Sequence, residues 1–406
     1  NVCVGDEAGT ALTTSDNNVA IGFEALKTED TQGHSTAVGY QALKTQNASA
    51  TAENTAVGYK AGTALTTGVE SVFVGYDAGA ALTVGTNNTL IGGEAGKTMV
   101  GDNNNVAIGW GALKVQTNAT STATNNTAVG YSAGSAVTTA TQSVFIGLGA
   151  GGAATTGGSN TLIGYGAGDS GNGSNFNQNV VVGHGALSGA CENNNTAVGV
   201  SALATTTGAA NHGFGHSAGK NITSGNANIC LGRDAGITGS PGGNITSGNN
   251  EIALGDENMS SFSCQVSLTA TSDERDKTDF KDLDLGLDFV NALKPVTYVW
   301  DKRTNYADKT NANWRDDLDL DSITSDGSKK DDDLQVGFKA QEVIALEKAA
   351  GYKLSDKTNL TATVTGDGKQ YGLRYERFVP MLVKALQELS AKNDALEARI
   401  KTLEDA

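Results

Sequence analysis

One phrase recurs fifteen times in the first 255 residues of this 406-residue chain, and it leaves few folds open. Its copies include NVCVGDEAG, NVAIGFEAL, NTAVGYKAG, SVFVGYDAG, NTLIGYGAG and NTAVGVSAL. Each is anchored on a glycine: Gly5, Gly22, Gly39, Gly58, Gly75, Gly92, Gly109, Gly130, Gly147, Gly164, Gly183, Gly199, Gly215, Gly232 and Gly255. The anchors follow one another mostly at 17 residues, with extremes of 16 and 23. A unit that short cannot bury a core of its own, so the copies must stack as coils of a solenoid.

The columns of the phrase assign work to each position. Four residues before the glycine stands Asn in eleven copies and Ser in three, short polar side chains able to ladder from coil to coil or hold a turn. The next three residues read as a strand with one face packed inward. The first of them is Val, Thr or Ile except at His212, the second is usually Ala, and the third is always larger and apolar, as at Val57, Ile91 and Phe214. The glycine permits a bend or a close backbone approach. Ala follows three residues later in fourteen copies, which predicts an interior that admits only a methyl group. The residue after the glycine is aromatic in seven copies, among them Phe23, Tyr40, Trp110 and Tyr165, so rings are expected to stack as a stripe. Polar runs such as TTSDNN and KTQNASATAEN read as surface turns.

Charge divides the chain. Only 24 of the first 271 residues are charged, against 48 of the remaining 135, so a boundary is expected near 260–272. The organisation predicted is a shaft over 1–259, a linker over 260–271 and a second domain over 272–406. A net charge of -16 works against nucleic acid as a partner. Cys3, Cys191, Cys230 and Cys264 show no C-x-x-C spacing and are expected as small buried hydrophobes. No apolar run reaches membrane length, so no membrane insertion is expected. Asn1 already belongs to a repeat, which suggests a fragment of a longer polypeptide. The neutral Asn/Thr/Ser surface of the array suits either contact with a glycan or plain solvation.

The seam itself reads TSDERDKTDF over residues 271–280. SDERDK fits the S-D-x-R-x-K signature of the endosialidase-type intramolecular chaperone, a self-cleaving C-terminal module of phage tail spikes and fibres. VGFKAQEV at 336–343 resembles that family's Gly-Phe-x-Ala-Gln-Glu-Val segment, and LRYERFVPMLVKALQELSAKNDALEARIKTLE resembles its terminal Tyr-containing segment and long helix. The resemblance implies Ser272 and Lys277 as a catalytic pair, Arg275 as a motif member, and cleavage between Ser272 and Asp273. A lysine serves as base to a serine hydroxyl only when desolvation or nearby positive charge favours its neutral form. Arg275 and the same residues of sister chains could supply that field. Attack by Ser272 on its own carbonyl would close a four-membered ring. An activated water, a shift through the preceding bond and a serine from another chain therefore all remain open. The array phrase NTAVGxxAG, in turn, resembles the head repeats of trimeric bacterial adhesins, whose short coils stack as a β-roll.

The final segment, 378–404, carries heptads, with Val379, Leu386, Asn393 and Ile400 at a and Leu382, Leu389, Leu396 and Leu403 at d. Lys392 with Glu397 and Arg399 with Glu404 stand in g-to-e′ relation, which favours parallel chains. Asn393 at a would fix register and lean towards a dimer; the resemblance implies a trimer. Asp317, Asp319 and Asp321 alternate like a calcium loop but lack its Gly and terminal Glu, so neither a metal nor a cofactor is expected there. His212 and His216 flank one glycine, where His216 most simply takes the place of the usual ring.

The expected fold is mostly β: a repetitive trimeric β-solenoid or β-roll shaft, then an α+β chaperone domain ending in a parallel coiled coil. The function expected from it is that of a phage tail fibre or spike, made in the host cytoplasm and carried on the virion. Its partners would be two further copies, a host cell-surface glycan or protein receptor, and other tail proteins through a missing N-terminal region. A trimeric bacterial adhesin is the first alternative, though it should end in a membrane β-barrel rather than at Ala406. A polysaccharide-degrading spike is the second; it needs paired carboxylates, whereas Glu7, Glu24 and Asp77 fall at variable positions expected to be exposed.

Overall fold

Every copy of the phrase forms a three-residue strand, from Val2–Val4 to Ile252–Leu254, and the fifteen strands pair in chain order as one parallel sheet. Phrase aligns with phrase: Val72 faces Thr89, Phe73 faces Leu90 and Val74 faces Ile91. Parallel strands that pair in direct succession require a chain that returns to the same edge each time, which is a solenoid coil. This computed structural model describes residues 1–405 apart from 32, 50, 119–121, 171–175, 266–268, 311–313 and 316–317. It divides into two units, Asn1–Asp256 and Glu257–Ala406.

The Asn/Ser column binds each coil to the next. The backbone N–H of Asn105 donates to Asn88 Oδ1 at 3.0 Å, that of Asn126 to Asn105 Oδ1 at 3.0 Å, and that of Ser143 to Asn126 Oδ1 at 3.0 Å. Several of the amide nitrogens then reach the far turn of the coil, as when Asn126 Nδ2 donates to the Ala140 carbonyl at 2.7 Å. These side chains are buried, so the ladder satisfies polar groups that no water reaches.

The middle residue of each strand points inward. Ala20, Phe73, Ala107, Phe145 and Leu162 are fully buried, while their strand neighbours on either side face out. Alanines of the later column, Ala25 through Ala235, are buried too, as their methyl-only conservation across copies predicts. The anchor glycines hold φ values from 67° to 143°, and a Cβ on Gly75 would lie 2.6 Å from the Gly92 carbonyl oxygen. Only glycine allows coils to approach that closely.

A compensation inside the coil completes the core. Where Ala is followed by Gly, as at Gly62 and Gly79, the large apolar side chain comes three residues further on, from Leu65 and Leu82. At Leu26, Leu43 and Leu113, where Ala is followed by Leu, that later position is instead a buried polar residue, Glu29, Gln46 or Gln116; after Leu187 it is the exposed Ala190. These leucines sit at φ 49°, 46° and 47°. A left-handed leucine costs on the order of 1–2 kcal/mol, which burial of its side chain, about 1.5–3 kcal/mol, can offset.

Rings of the next column stack along the array: Phe23 on Tyr40, Tyr40 on Tyr59 and Tyr59 on Tyr76 at 5.1–5.4 Å between centroids. Two sequence expectations are corrected. Glu24 and Asp77 are buried, because Lys27, Lys44 and Lys97 cover their carboxylates at the corner of the coil; Glu7 is exposed as expected. Cys191 and Cys230 are buried, but Cys3 and Cys264 are exposed.

The second unit is mixed. Val296–Tyr298 pairs antiparallel with Gln335–Gly337, and Ala362–Val364 with Tyr371–Leu373. Helices α1 (Leu287–Ala292), α2 (Ala340–Ala349) and α3 (Phe378–Glu404) pack Phe289, Val343, Phe378 and Met381 around Leu285. Arg315 Nη2 donates to both carboxylate oxygens of Glu257 at 2.8 Å in a buried pair. Among the described residues no helix is long and apolar enough to cross a membrane.

Replacing Ala133 by Leu overfills the coil interior and is expected to cost about 1–3 kcal/mol or more. Ser132→Leu, one residue earlier on the half-exposed corner, should leave the melting temperature nearly unchanged. Equal thermal shifts in the two variants would overturn this assignment of inward and outward columns.

Candidate functional site

The seam residues close on themselves through one short turn. Asp273 caps a single turn of 3-10 helix, Glu274–Asp276, by accepting the Arg275 backbone N–H at 2.9 Å on Oδ1. Asp is suited to that place because its short carboxylate satisfies an otherwise orphaned donor. The turn reverses the chain enough for Lys277 to reach back five residues. Its Nζ lies 2.5 Å from Ser272 Oγ and 3.3 Å from the Ser272 carbonyl oxygen. One ammonium thus touches both the hydroxyl and the carbonyl of the bond joining Ser272 to Asp273.

Arg275 turns to the other side. Its guanidinium grips Asp273 with Nε at 3.0 Å and Nη2 at 2.6 Å, which holds the Asp273 carboxyl below its usual range. In the single chain the Arg275 charge is therefore balanced by Asp273. Ser272, Arg275 and Lys277 are all exposed, and Asp273 is half-buried. The contacts for a serine–lysine pair are present, while the dry surroundings that make lysine a base are not supplied by one chain.

The other two quoted motifs meet beneath helix α3. Gly337 and Phe338 lie against Tyr375, whose hydroxyl accepts the Phe338 N–H at 3.2 Å, and Phe338 stacks on Phe378 with centroids 5.3 Å apart. A Cβ on Gly337 would run into Tyr375 Oη. The Gly-Phe pair is thus explained by close approach of a tyrosine hydroxyl. Glu388 of α3 accepts the Leu287 N–H at 2.7 Å and caps α1, and that bond holds the Glu388 carboxyl below its ordinary range.

Helix α3 carries two stripes. Phe378, Met381 and Ala385 are buried in the unit, while Val379, Leu382, Leu386, Leu389, Asn393, Leu396, Ile400 and Leu403 are all exposed. Pro380 falls in the first turn, where its missing N–H breaks no helical bond. The exposed stripe is the predicted heptad seam, and among the described residues nothing from the rest of the unit covers it.

Carboxylates elsewhere are committed to cations. Lys369 Nζ sits between Asp319 at 2.9 Å and Asp321 at 2.7 Å, filling with an ammonium the place where a calcium loop would hold metal; Asp317 lies outside the described residues. On the array, hydrogen bonds from Lys27, Lys44 and Gln41 hold Glu24 down at about 2. Lys114 and Lys97 likewise lower Glu94. Acids held ionised in this way cannot donate the proton that glycoside cleavage requires. His216 stands in the ring column, exposed, with Nδ1 3.8 Å from Asp234.

With this geometry in place, comparison with known proteins is informative for one segment. Residues 272–352 match the family described as chaperone of endosialidase, a stretch that contains the whole SDERDK loop and the VGFKAQEV segment and ends before α3. No curated protein and no solved structure matches the chain.

The Gly337–Tyr375 contact is open to a double-mutant test. Gly337→Ala should destabilise the second unit by about 1–3 kcal/mol through overpacking. Combined with Tyr375→Phe it should cost less than the sum of the single changes, by at least about 0.5 kcal/mol of coupling. Strict additivity in urea unfolding would show that the two residues do not constrain each other.

Proposed function

We propose that this chain is a trimeric phage tail fibre or spike: a β-solenoid shaft that contacts the host surface, followed by a chaperone that aligns three copies and then cuts itself away. The observation that carries the reading is the 2.5 Å contact of Lys277 Nζ with Ser272 Oγ, inside a segment that matches the endosialidase chaperone family. The exposed heptad stripe of α3 supplies the means of assembly. A solenoid of short coils gains from such a clamp, because long-range register must be found before burial rewards it.

In this reading three copies bury the six-residue loops together, and loss of water turns Lys277 from donor to base. An oxygen nucleophile, from water or from Ser272 of another copy, adds to the Ser272 carbonyl, whose oxygen Lys277 already approaches at 3.3 Å. Lys277 takes the nucleophile's proton and passes it to the departing Asp273 nitrogen; where the nucleophile is Ser272 of another copy, water then cleaves the ester so formed. The net change is hydrolysis, giving one piece ending at Ser272 and another beginning at Asp273. Removal of the clamp then makes the shaft kinetically trapped. Glu24 and Glu94, each held ionised by two lysines, are poor candidates for the acid of polysaccharide cleavage.

Intact-mass measurement tests the cutting step. Wild-type chain should yield the two pieces after folding, Ser272→Ala and Lys277→Ala should remain whole, and Arg275→Ala should cleave more slowly. A folded trimer that keeps its full mass through long incubation near neutral pH would remove the peptidase role.

Assembly is tested separately. Leu389→Asp with Leu396→Asp places three unpaired carboxylates in each of two seam layers, and monomers or aggregates are expected in sedimentation. A protease-resistant trimer from that variant would show that α3 is not the clamp.

A further inference from the structure

The strands of the array present a second surface without a partner. Fourteen of the fifteen strands bury their middle residue, the exception being Cys3 in the first, and each turns its two flanking residues outward. No carboxylate, ammonium or guanidinium occupies any of those outward positions, and the single titratable exception is His212. They are otherwise Val, Ile, Thr, Leu or Phe; Val57, Ile108, Ile146 and Leu231 are between 37% and 52% exposed. Fourteen steps of about 4.8 Å make this ribbon roughly 65 Å long. At a width of roughly 10 Å it offers on the order of 650 Å² of mainly apolar surface, more than a soluble monomer usually leaves in water.

We infer that this outward strand face is buried against the same face of further copies of the chain, aligned in parallel and in register. The inference rests on the assembly reading above and adds the shaft surface that assembly would bring together. Three observations select a second copy as occupant. The ribbon's area, enlarged by the neighbouring ring stack, is comparable with the roughly 800 Å² per partner of a stable protein interface. Its side chains repeat at the coil spacing over the full length, and a partner stays commensurate with that only if it has the same repeat. The charges of the array sit at the coil corners instead, where Lys27, Lys97 and Lys114 already neutralise Glu24, Asp77 and Glu94. Acidic chains can then approach along the ribbon without bringing like charges into the seam. A glycan finds few hydrogen-bonding groups on this face, since the threonine hydroxyls and His212 are its polar atoms.

Thiol labelling of the full chain tests this. Cys3 and Cys264, which are exposed, are replaced by Ser, whereas Cys191 and Cys230 are buried with thiols pushed up to about 12 and stay unreactive. Single cysteines are then introduced as Ile108→Cys or Ile146→Cys on the ribbon and as Thr139→Cys on an exposed turn. In native protein the Thr139→Cys variant should react with maleimide at the rate of free thiol, and both ribbon variants at least about tenfold more slowly, as protection by a stable contact requires. Free-rate labelling of both ribbon variants in a chain that sediments as a trimer overturns this inference and leaves assembly through α3 standing. Free-rate labelling in a monomeric chain overturns both. Protection that arises only on addition of a bacterial surface polysaccharide assigns the face to a glycan and overturns it as well.

Discussion

The buried asparagine ladder is the interaction on which the array depends. A coil of about 17 residues has room for one strand, a few methyl groups and one larger side chain, too little apolar surface to fix its own position. The ladder gives each coil a polar contact that fits in only one register, because an Oδ1 that accepts the next coil's N–H must sit opposite that N–H. Where Ser replaces Asn, as at Ser71 and Ser143, the hydroxyl takes over the same acceptor role for Asn88 and Asn160. Parallel pairing of all fifteen strands in matched register follows from that fixed point. The anchor glycines then bring successive backbones close enough for the ladder bonds to form.

Both units bury one stripe and expose another. In the array the middle strand residues go in and their neighbours stay out; in α3, Phe378, Met381 and Ala385 go in while the heptad leucines stay out. A surface that is apolar, periodic and free of charge is costly in water unless covered. The two exposed stripes share the feature that a partner with an identical repeat can cover them along their whole length. The Ser272 hydroxyl, the Lys277 ammonium and the Ser272 carbonyl are already in contact in one chain, but they lie in water. Contact geometry is local and set by one turn of helix. Dryness is not local, and under the proposed function it would have to come from assembly.

Much of this was legible in the residues themselves. The repeat dictated short stacked strands, the Asn column pointed to a ladder or a turn, the nearly invariant Ala dictated a crowded interior, and SDERDK placed Ser272 five residues from Lys277, within reach across one turn. Less legible were the left-handed leucines and their exchange with a later position. The clue was present, since Glu29, Gln46 and Gln116 appear only where Leu follows Ala, but its meaning needs two positions seen in the same interior space. The burial of Glu24 and Asp77 was hidden for a related reason: the lysines that cover them come partly from neighbouring coils.

The sequence by itself determined what is periodic or local: strand, turn and helix, the ladder, and the reach of Lys277 to Ser272, because spacing along the chain sets each of these. Tertiary structure alone decided which of two apolar columns faces inward, since alternation marks two faces without saying which one the coil closes over. It also decided that Tyr375 presses on Gly337 and that Lys369 stands between two aspartates. Both contacts join residues tens of positions apart, and only the folded path of the chain brings them within bonding distance.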